Sequence, residues 1–194
     1  DDGTARDVSV TTLAAAETAE VYLSTGSGNF NNSDNGAITI EVTGNAGTQQ
    51  FTFASGTTQT DVMSAVNSFG DQLGVSATQS ATASGRVEVR STEYGADEFV
   101  RVKMLNNNGG NDIIYSTAAD ATADTEFQDD GGDATILING QTATSNGLSA
   151  RVSSEGFDVS VTITAALNVN GATQSFQITG GGANFNLSPA VDMA

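Results

Sequence analysis

GNAGTQQFTFASGTTQTDVMSAVNSFGDQLGVSATQSATASGRVEVRSTEYGADEFVRVKML, residues 44–105, decides the fold. Its opening, GTQQFTF, alternates apolar and polar residues up to Phe51 and Phe53, the period of a strand with one buried face. The period then changes. Thr58 supplies an N-cap side chain, Asp61 an acid in the first turn, and Val62, Ala65, Val66, Phe69 and Leu73 recur at the three-and-four spacing of one helical face. The spacing predicts one short amphipathic helix near 59–73, ended by Gly70 or Gly74. After it, GVSATQS, RVEVRS and VRVKML return to period two. A single helix laid over a sheet made from the flanking strands explains why Phe69 and Leu73 are apolar, and predicts that both face the sheet holding Phe51 and Phe53.

Outward from this stretch the same alternation predicts strands at 8–12, 20–24, 37–43, 49–54, 75–80, 86–91 and 100–105. In the second half it predicts strands at 135–138, 149–153, 158–164 and 173–179. With 22 glycines and one proline, the turns depend on Gly, Asn and Asp for positive φ. Residues 106–133, NNNGGND followed by TAADATADTEFQDDGGD, carry little apolar periodicity beyond Ile113, Ile114 and Tyr115 and read as a seam. The expected class is α+β, predominantly β: antiparallel sheets, one short helix packed on a sheet, and two small subdomains. The expected units are 1–128, with the helix, and 129–179, followed by a terminal segment at 180–194.

Composition removes whole classes of function. A length of 194 residues holds one sizeable core or two small ones. Twenty-three acids against six bases give a net charge of −17, which repels phosphate backbones and disfavours anionic membrane surfaces. Neither nucleic acid nor membrane is expected as a partner, and no stretch approaches the roughly 18 apolar residues of a spanning helix. No His and no Cys are present, so imidazole acid–base chemistry, thiol nucleophiles, disulfides and Cys/His zinc sites are absent. Lys103, the only lysine, sits between Val102 and Met104 in strand alternation and reads as an exposed strand residue.

The remaining candidates have bland readings. Residues 109–115, GGNDIIY, overlap the nonapeptide of calcium-binding β-rolls, but one imperfect copy cannot stack and reads as a turn before a short strand. Asp129, Asp130 and Asp133, with Asp120, Asp124 or Glu126, could offer oxygens to a hard cation. They lack the EF-hand spacing and read as a solvated acidic loop. Glu93 with Glu98, or Asp158 with Glu155, could form a glycosidase-like carboxylate pair, but there is no Trp to stack a sugar. Asn31 and Asn186 open N-x-Ser patterns, which are common by chance. No catalytic, cofactor-binding or metal-ligating residue is assigned, and the chain is not expected to be an enzyme.

Three blocks carry a family resemblance. Gly44, Gly47, Gln50, Phe51, residues 53–58, Asn67, Phe69, residues 74–77 and 91–95, and Glu98, Phe99 and Val100 resemble the variable middle of a bacterial flagellin. Residues 134–163, around Ile138, Asn139 and Gly140, resemble the hook IN motif of flagellins and hook-associated proteins. FQITGGGANFNLSP, residues 176–189, is similar to the segment in which a flagellin returns to its helical rod. The resemblance implies a structural subunit of the flagellar filament, exported through the flagellar secretion apparatus to the cell exterior, with no cofactor. It implies outer β-rich domains, self-association residing in terminal helices that these residues do not contain, and motility as the process served. A hook-associated or junction protein, and a secreted acidic calcium-binding or adhesive β-domain, are the alternatives. Opening at Asp1, the chain is expected to be a piece of a longer protein.

Overall fold

The computed structural model describes residues 5–24, 29–30, 36–83, 85–106, 112–154 and 157–178. The Asn31 and Asn186 patterns, Gly109 and Gly110 of the β-roll-like tract, Glu155, and the terminal segment at 180–194 lie outside the described residues.

The chain runs through β1 (Arg6–Ala14), β2 (Glu20–Leu23), β3 (Asn29–Phe30), β4 (Ile38–Gly44), β5 (Gly47–Phe53) and β6 (Thr57–Thr58). Two helical pieces follow, α1 (Gln59–Asn67) and α2 (Gly70–Leu73), then β7 (Val75–Gln79), β8 (Val87–Ser91), β9 (Phe99–Asn106), β10 (Ile114–Tyr115) and β11 (Glu126–Asp130). The second half holds β12 (Thr135–Ile138), β13 (Gln141–Thr142), β14 (Thr144–Asn146), β15 (Ser149–Ser154), β16 (Phe157–Thr162) and β17 (Thr173–Ile178). Two four-stranded antiparallel sheets, β11-β9-β4-β5 and β10-β2-β8-β7, share the first core. Ile38, Ile40 and Val42 of β4 alternate into it, as do Val87 and Val89 of β8. A four-stranded sheet β13-β12-β1-β17 and a three-stranded sheet β14-β15-β16 enclose a second core around Val8, Val10, Ile136, Ile138 and Val152.

The amphipathic helix packs on a sheet as its spacing requires, burying Val62 and Val66. Its start is a reciprocal capping box: Thr58 Oγ1 accepts from the Asp61 N–H at 3.2 Å and the Asp61 carboxylate accepts from the Thr58 N–H at 3.4 Å. The helical stretch is not continuous to residue 73. Ser68 closes α1, Phe69 turns to φ −113°, and α2 ends at Gly74 with φ 70°. That break drops the Phe69 ring edge-on to Phe51, with centroids 5.7 Å apart, so Phe69 is half-buried while Leu73 is fully buried.

The seam is more ordered than its composition suggests. Glu126–Asp130, read as part of an acidic loop, is a strand paired residue for residue with β9, setting Phe127 against Val102. Ile114 and Tyr115 form a short edge strand on β2. At the chain's start, β1 lies between β12 and β17, so residues 6–14 build the second core and not the first.

Candidate functional site

Among the described residues, several of the candidate carboxylates are engaged by other partners, while Glu93 and Glu98 line one cavity. Glu98 accepts from Asn45 Nδ2 at 2.9 Å, and Asp158 is held by the Arg151 guanidinium at 2.6 and 2.9 Å. That hydrogen-bonded pairing lowers the Asp158 carboxyl below its ordinary range. Asp129 accepts from the Glu20 N–H at 2.9 Å, and Asp130 from Gln128. Asp120 accepts from the Ser116 hydroxyl at 2.7 Å, the first cause of its lowered pKa. Glu126 bridges Arg101 and Lys103, each at 3.4 Å. Among the described residues no three His, Cys, Asp or Glu side chains converge where a metal ion could sit, and no helix is long and apolar enough to cross a membrane.

The structure instead concentrates its polar geometry where the two cores meet. The chain crosses between them twice, at 15–19 and at 131–134, and the β8–β9 loop of the first unit reaches the β14–β15 turn of the second. Glu17 and Gly132 exchange backbone bonds at 2.8 and 3.0 Å, the Gly95 N–H donates to Glu17 O at 3.2 Å, and the Gly131 N–H donates to Glu98 O at 2.8 Å. Asp133 Oδ1 accepts from the Ala96 N–H at 3.0 Å and the Gly147 N–H at 2.7 Å, joining both units through one oxygen. Glycine is required by proximity. A Cβ on Gly131 would stand 2.4 Å from Gly95 O and 2.8 Å from Glu17 O, and one on Gly147, at φ +55°, 2.4 Å from Tyr94 O. A cavity of about 350 Å³ opens beside this clasp, lined by Glu93, Tyr94, Glu98, Asn146 and Leu148 among others.

Asn139 and Gly140 form a second ordered feature. With φ of 51° and 80° between β12 and β13, they make the two-residue Asn-Gly connection expected of a type I′ hairpin turn. The Asn139 amide also accepts from the Ser9 N–H at 2.8 Å and donates to Asp7 O at 3.4 Å, extending the β1–β12 ladder by one side chain. Two further asparagines do the same. Asn67 binds the Ala77 N–H and C=O at 2.7 and 2.8 Å, closing the free edge of β7, and Asn168 binds both groups of Ala16 at 2.6 and 2.9 Å. A carboxamide carries one acceptor and a paired donor, so it substitutes for a neighbouring strand's peptide group. The Asn-richness of the loops was the available signal, but composition does not tell a turn residue from an edge cap.

One polar cluster sits against the first core. Glu88 is only 6% exposed and pairs with Arg90, which also reaches Glu20 at 3.5 Å. Beside it the Tyr22 phenol is pushed up to about 12, first by burial and then by the Glu20 and Glu88 charges.

Among the described residues these are two antiparallel β units, one helix-bearing and one not, joined by a double crossing. No family model matches the chain, and no curated protein matches it. Solved structures do match its fold. The D2-D3 domains of the flagellar cap protein FliD from Serratia marcescens superpose with a TM-score of 0.55 at 15% identity, over 92% of this chain and 95% of that one. FliD (HAP2) from Pseudomonas aeruginosa PAO1 gives 0.55 at 18% identity, over 95% and 84%. The Escherichia coli FliD D2-D3 domains give 0.51 at 14% identity, over 92% and 90%. At these identities the likeness is one of fold.

Proposed function

We propose that this chain forms the outer β domains of a structural protein associated with the bacterial flagellar filament, of the hook-associated, cap-forming kind. The observation that supports the reading is the extent of the fold match, which covers 92% of this chain and 95% of the cap-protein D2-D3 domains. The role is architectural. It is served outside the cell, by self-association of the longer protein to which these domains belong, without catalysis or cofactor. The −17 charge keeps such exposed lobes soluble and mutually repelling.

A second reading is kept because a different observation favours it. The ordered sequence blocks at 44–105, 134–163 and 176–189 resemble flagellin itself, which would make these lobes the repeated outer surface of the filament. Immunogold electron microscopy with antibody raised against residues 1–194 separates the two. Label confined to the filament tip supports the cap reading, label at the hook–filament junction supports a junction protein, and label along the whole filament supports flagellin. Filaments without label at any of these places would remove the flagellar assignment.

A further inference from the structure

The two sheets of the second unit leave a cavity of about 430 Å³ where β1 and β16 begin and β15 ends, lined by Arg6, Asp7, Asn139, Gln141, Ser154 and Phe157. Strand alternation sets four of these residues on the core-facing side. Arg6 precedes Val8 and Val10 on that face of β1, Ser154 follows Ala150 and Val152 on β15, and Phe157 packs against the buried cluster. Gln141 shares the face of Ile138, its cross-strand partner. The next layer in, Val8, Ile138 and Val152, is buried and apolar. Asp7 and Asn139 are already engaged: the Asp7 carboxylate accepts from Gln177 Nε2 at 2.8 Å, and the Asn139 amide serves the Ser9 N–H and the Asp7 carbonyl. Arg6 is not. Of the six bases, Arg90, Arg101, Lys103 and Arg151 pair with carboxylates and Arg86 donates to the Thr117 and Asp120 carbonyls, whereas the Arg6 guanidinium has no partner among the described residues. With 23 acids in the chain, scarcity of partners does not explain it. Nor does a core-facing charge here guard a sheet edge, because β1 lies between β12 and β17.

We infer that this cavity is a binding site for a small, ring-bearing monocarboxylate, with Arg6 as the group that fixes it. A guanidinium presents a planar fork that meets a carboxylate with two parallel N–H···O bonds. The Gln141 amide and the Ser154 hydroxyl oxygen stand in the same cavity for the remaining polar atoms of the ligand, and the Phe157 ring offers an apolar face to its body. The volume falls toward the lower end of the roughly 300–1,000 Å³ of small-molecule sites, which suits a single ring. Net charge selects among anions. At −17 the chain repels a phosphate dianion more strongly than a monocarboxylate, which makes the same paired contact with one negative charge. Sugar acids and aromatic acids both carry this chemistry.

The inference does not rest on the flagellar reading. It is tested by titrating the full 194-residue chain, followed by backbone amide chemical shifts, with glucuronate as the sugar-acid probe and phenylacetate as the aromatic one. At least one of the two should shift the amides of residues 6, 141, 154 and 157, and the tighter binder identifies the source. Phenylacetamide and glucuronamide, which keep the ring and lose the charge, should not. Arg6→Gln should weaken binding of the acid by at least about tenfold, through loss of the charge-assisted pair. Arg151→Gln, at a base already held by Asp158, should leave it unchanged. Arg6→Lys keeps the charge without the fork and should bind between the wild type and Arg6→Gln, an ordering that a general loss of fold would not produce. Absence of shifts with both acids at up to about 10 mM would overturn the assignment. So would binding that survives Arg6→Gln, or an equal loss in Arg151→Gln.

Discussion

The two cores are both built mainly of antiparallel strands and close themselves differently. The first is sealed on its open flank by α1 and α2, with Phe51, Phe53 and Phe69 packed in contact and Asn67 capping the edge of β7. In the second, the aromatic residues packed against the buried cluster, Tyr94 and Phe157, are only partly buried, and its β17 flank is exposed. A core closed by a helix has fewer ways to relax around a lost side chain than one bounded by an edge. Truncations should therefore cost more in the first unit, and junction changes should affect how the units communicate more than how either one folds.

The largest expected effect tests that asymmetry. Ile40, fully buried between β5 and β9, should lose about 2–5 kcal/mol of unfolding free energy on substitution by Ala, near the upper end because its neighbours are fixed by helix and sheet. Ile138→Ala, equally buried but beside the Asn139 turn, should fall toward the lower end of the same range. Urea unfolding of the two variants decides it, and equal losses would break the proposed contrast between the cores.

Next comes alkaline pH, read through Tyr22 in the first unit. The folded pKa of Tyr22 is raised from 10.0 to about 12, so the stability it contributes is whole below the unfolded value and is lost as pH rises through about 12. The loss is at most about 2–3 kcal/mol, because each tenfold change in proton affinity between the folded and unfolded chain is worth about 1.4 kcal/mol and solvent screening reduces it. Tyr22→Phe should flatten the stability profile above pH 10, as followed by phenolate absorbance and circular dichroism together. A wild-type profile that is already flat there would remove the burial argument.

At the clasp, Gly131→Ala forces a methyl group into the contact with Gly95 O and Glu17 O, and should cost about 1–3 kcal/mol as overpacking. The sharper signature is coupling. The wild type should unfold in one transition by fluorescence, circular dichroism and small-angle scattering, and the variant should separate into two. Retention of a single coincident transition would show that the units are tied elsewhere.

The sequence made the first unit easier to read than the second. Residues 44–105 announce themselves because the period changes from two to about 3.6 and back, with Thr58 and Gly74 marking the helical ends. The break at Phe69 is hidden because Val66, Phe69 and Leu73 keep helical spacing across it, and periodicity does not see one residue leave the helical φ/ψ region. Glu126–Asp130 is hidden for the opposite reason. EFQDD looks like solvated loop, yet Phe127 alone supplies its core contact while pairing with β9 and the bond from Glu20 fix the rest. Membership of β1 in the second core was not legible either, because pairing between residues more than 120 positions apart leaves no local pattern. The clasp followed the same rule: its glycines were visible as turn residues, but not as points of close backbone approach.

The smallest expected effects compare how each unit fixes its local geometry. In the first, Thr58→Ala removes the side-chain half of the capping box and should cost about 1 kcal/mol, because the Asp61 N–H then depends on water at an exposed helix start. In the second, Asn139 combines two roles, a left-handed φ of 51° and a side-chain bond to the Ser9 N–H, and substitutions can separate them. Asn139→Gly keeps the φ and loses only the amide, a cost of about 1 kcal/mol for a bond on a solvent-facing edge. Asn139→Ala loses the amide and keeps a Cβ in the left-handed region without the local side-chain bonding by which Asn tolerates it, and should cost about 1–2 kcal/mol more. If Gly and Ala prove equally destabilising by thermal unfolding, the amide bond to β1 is the whole contribution. If Gly is neutral, the backbone turn alone sets the β12–β13 hairpin, and the extension of the β1 ladder by Asn139 has no energetic weight.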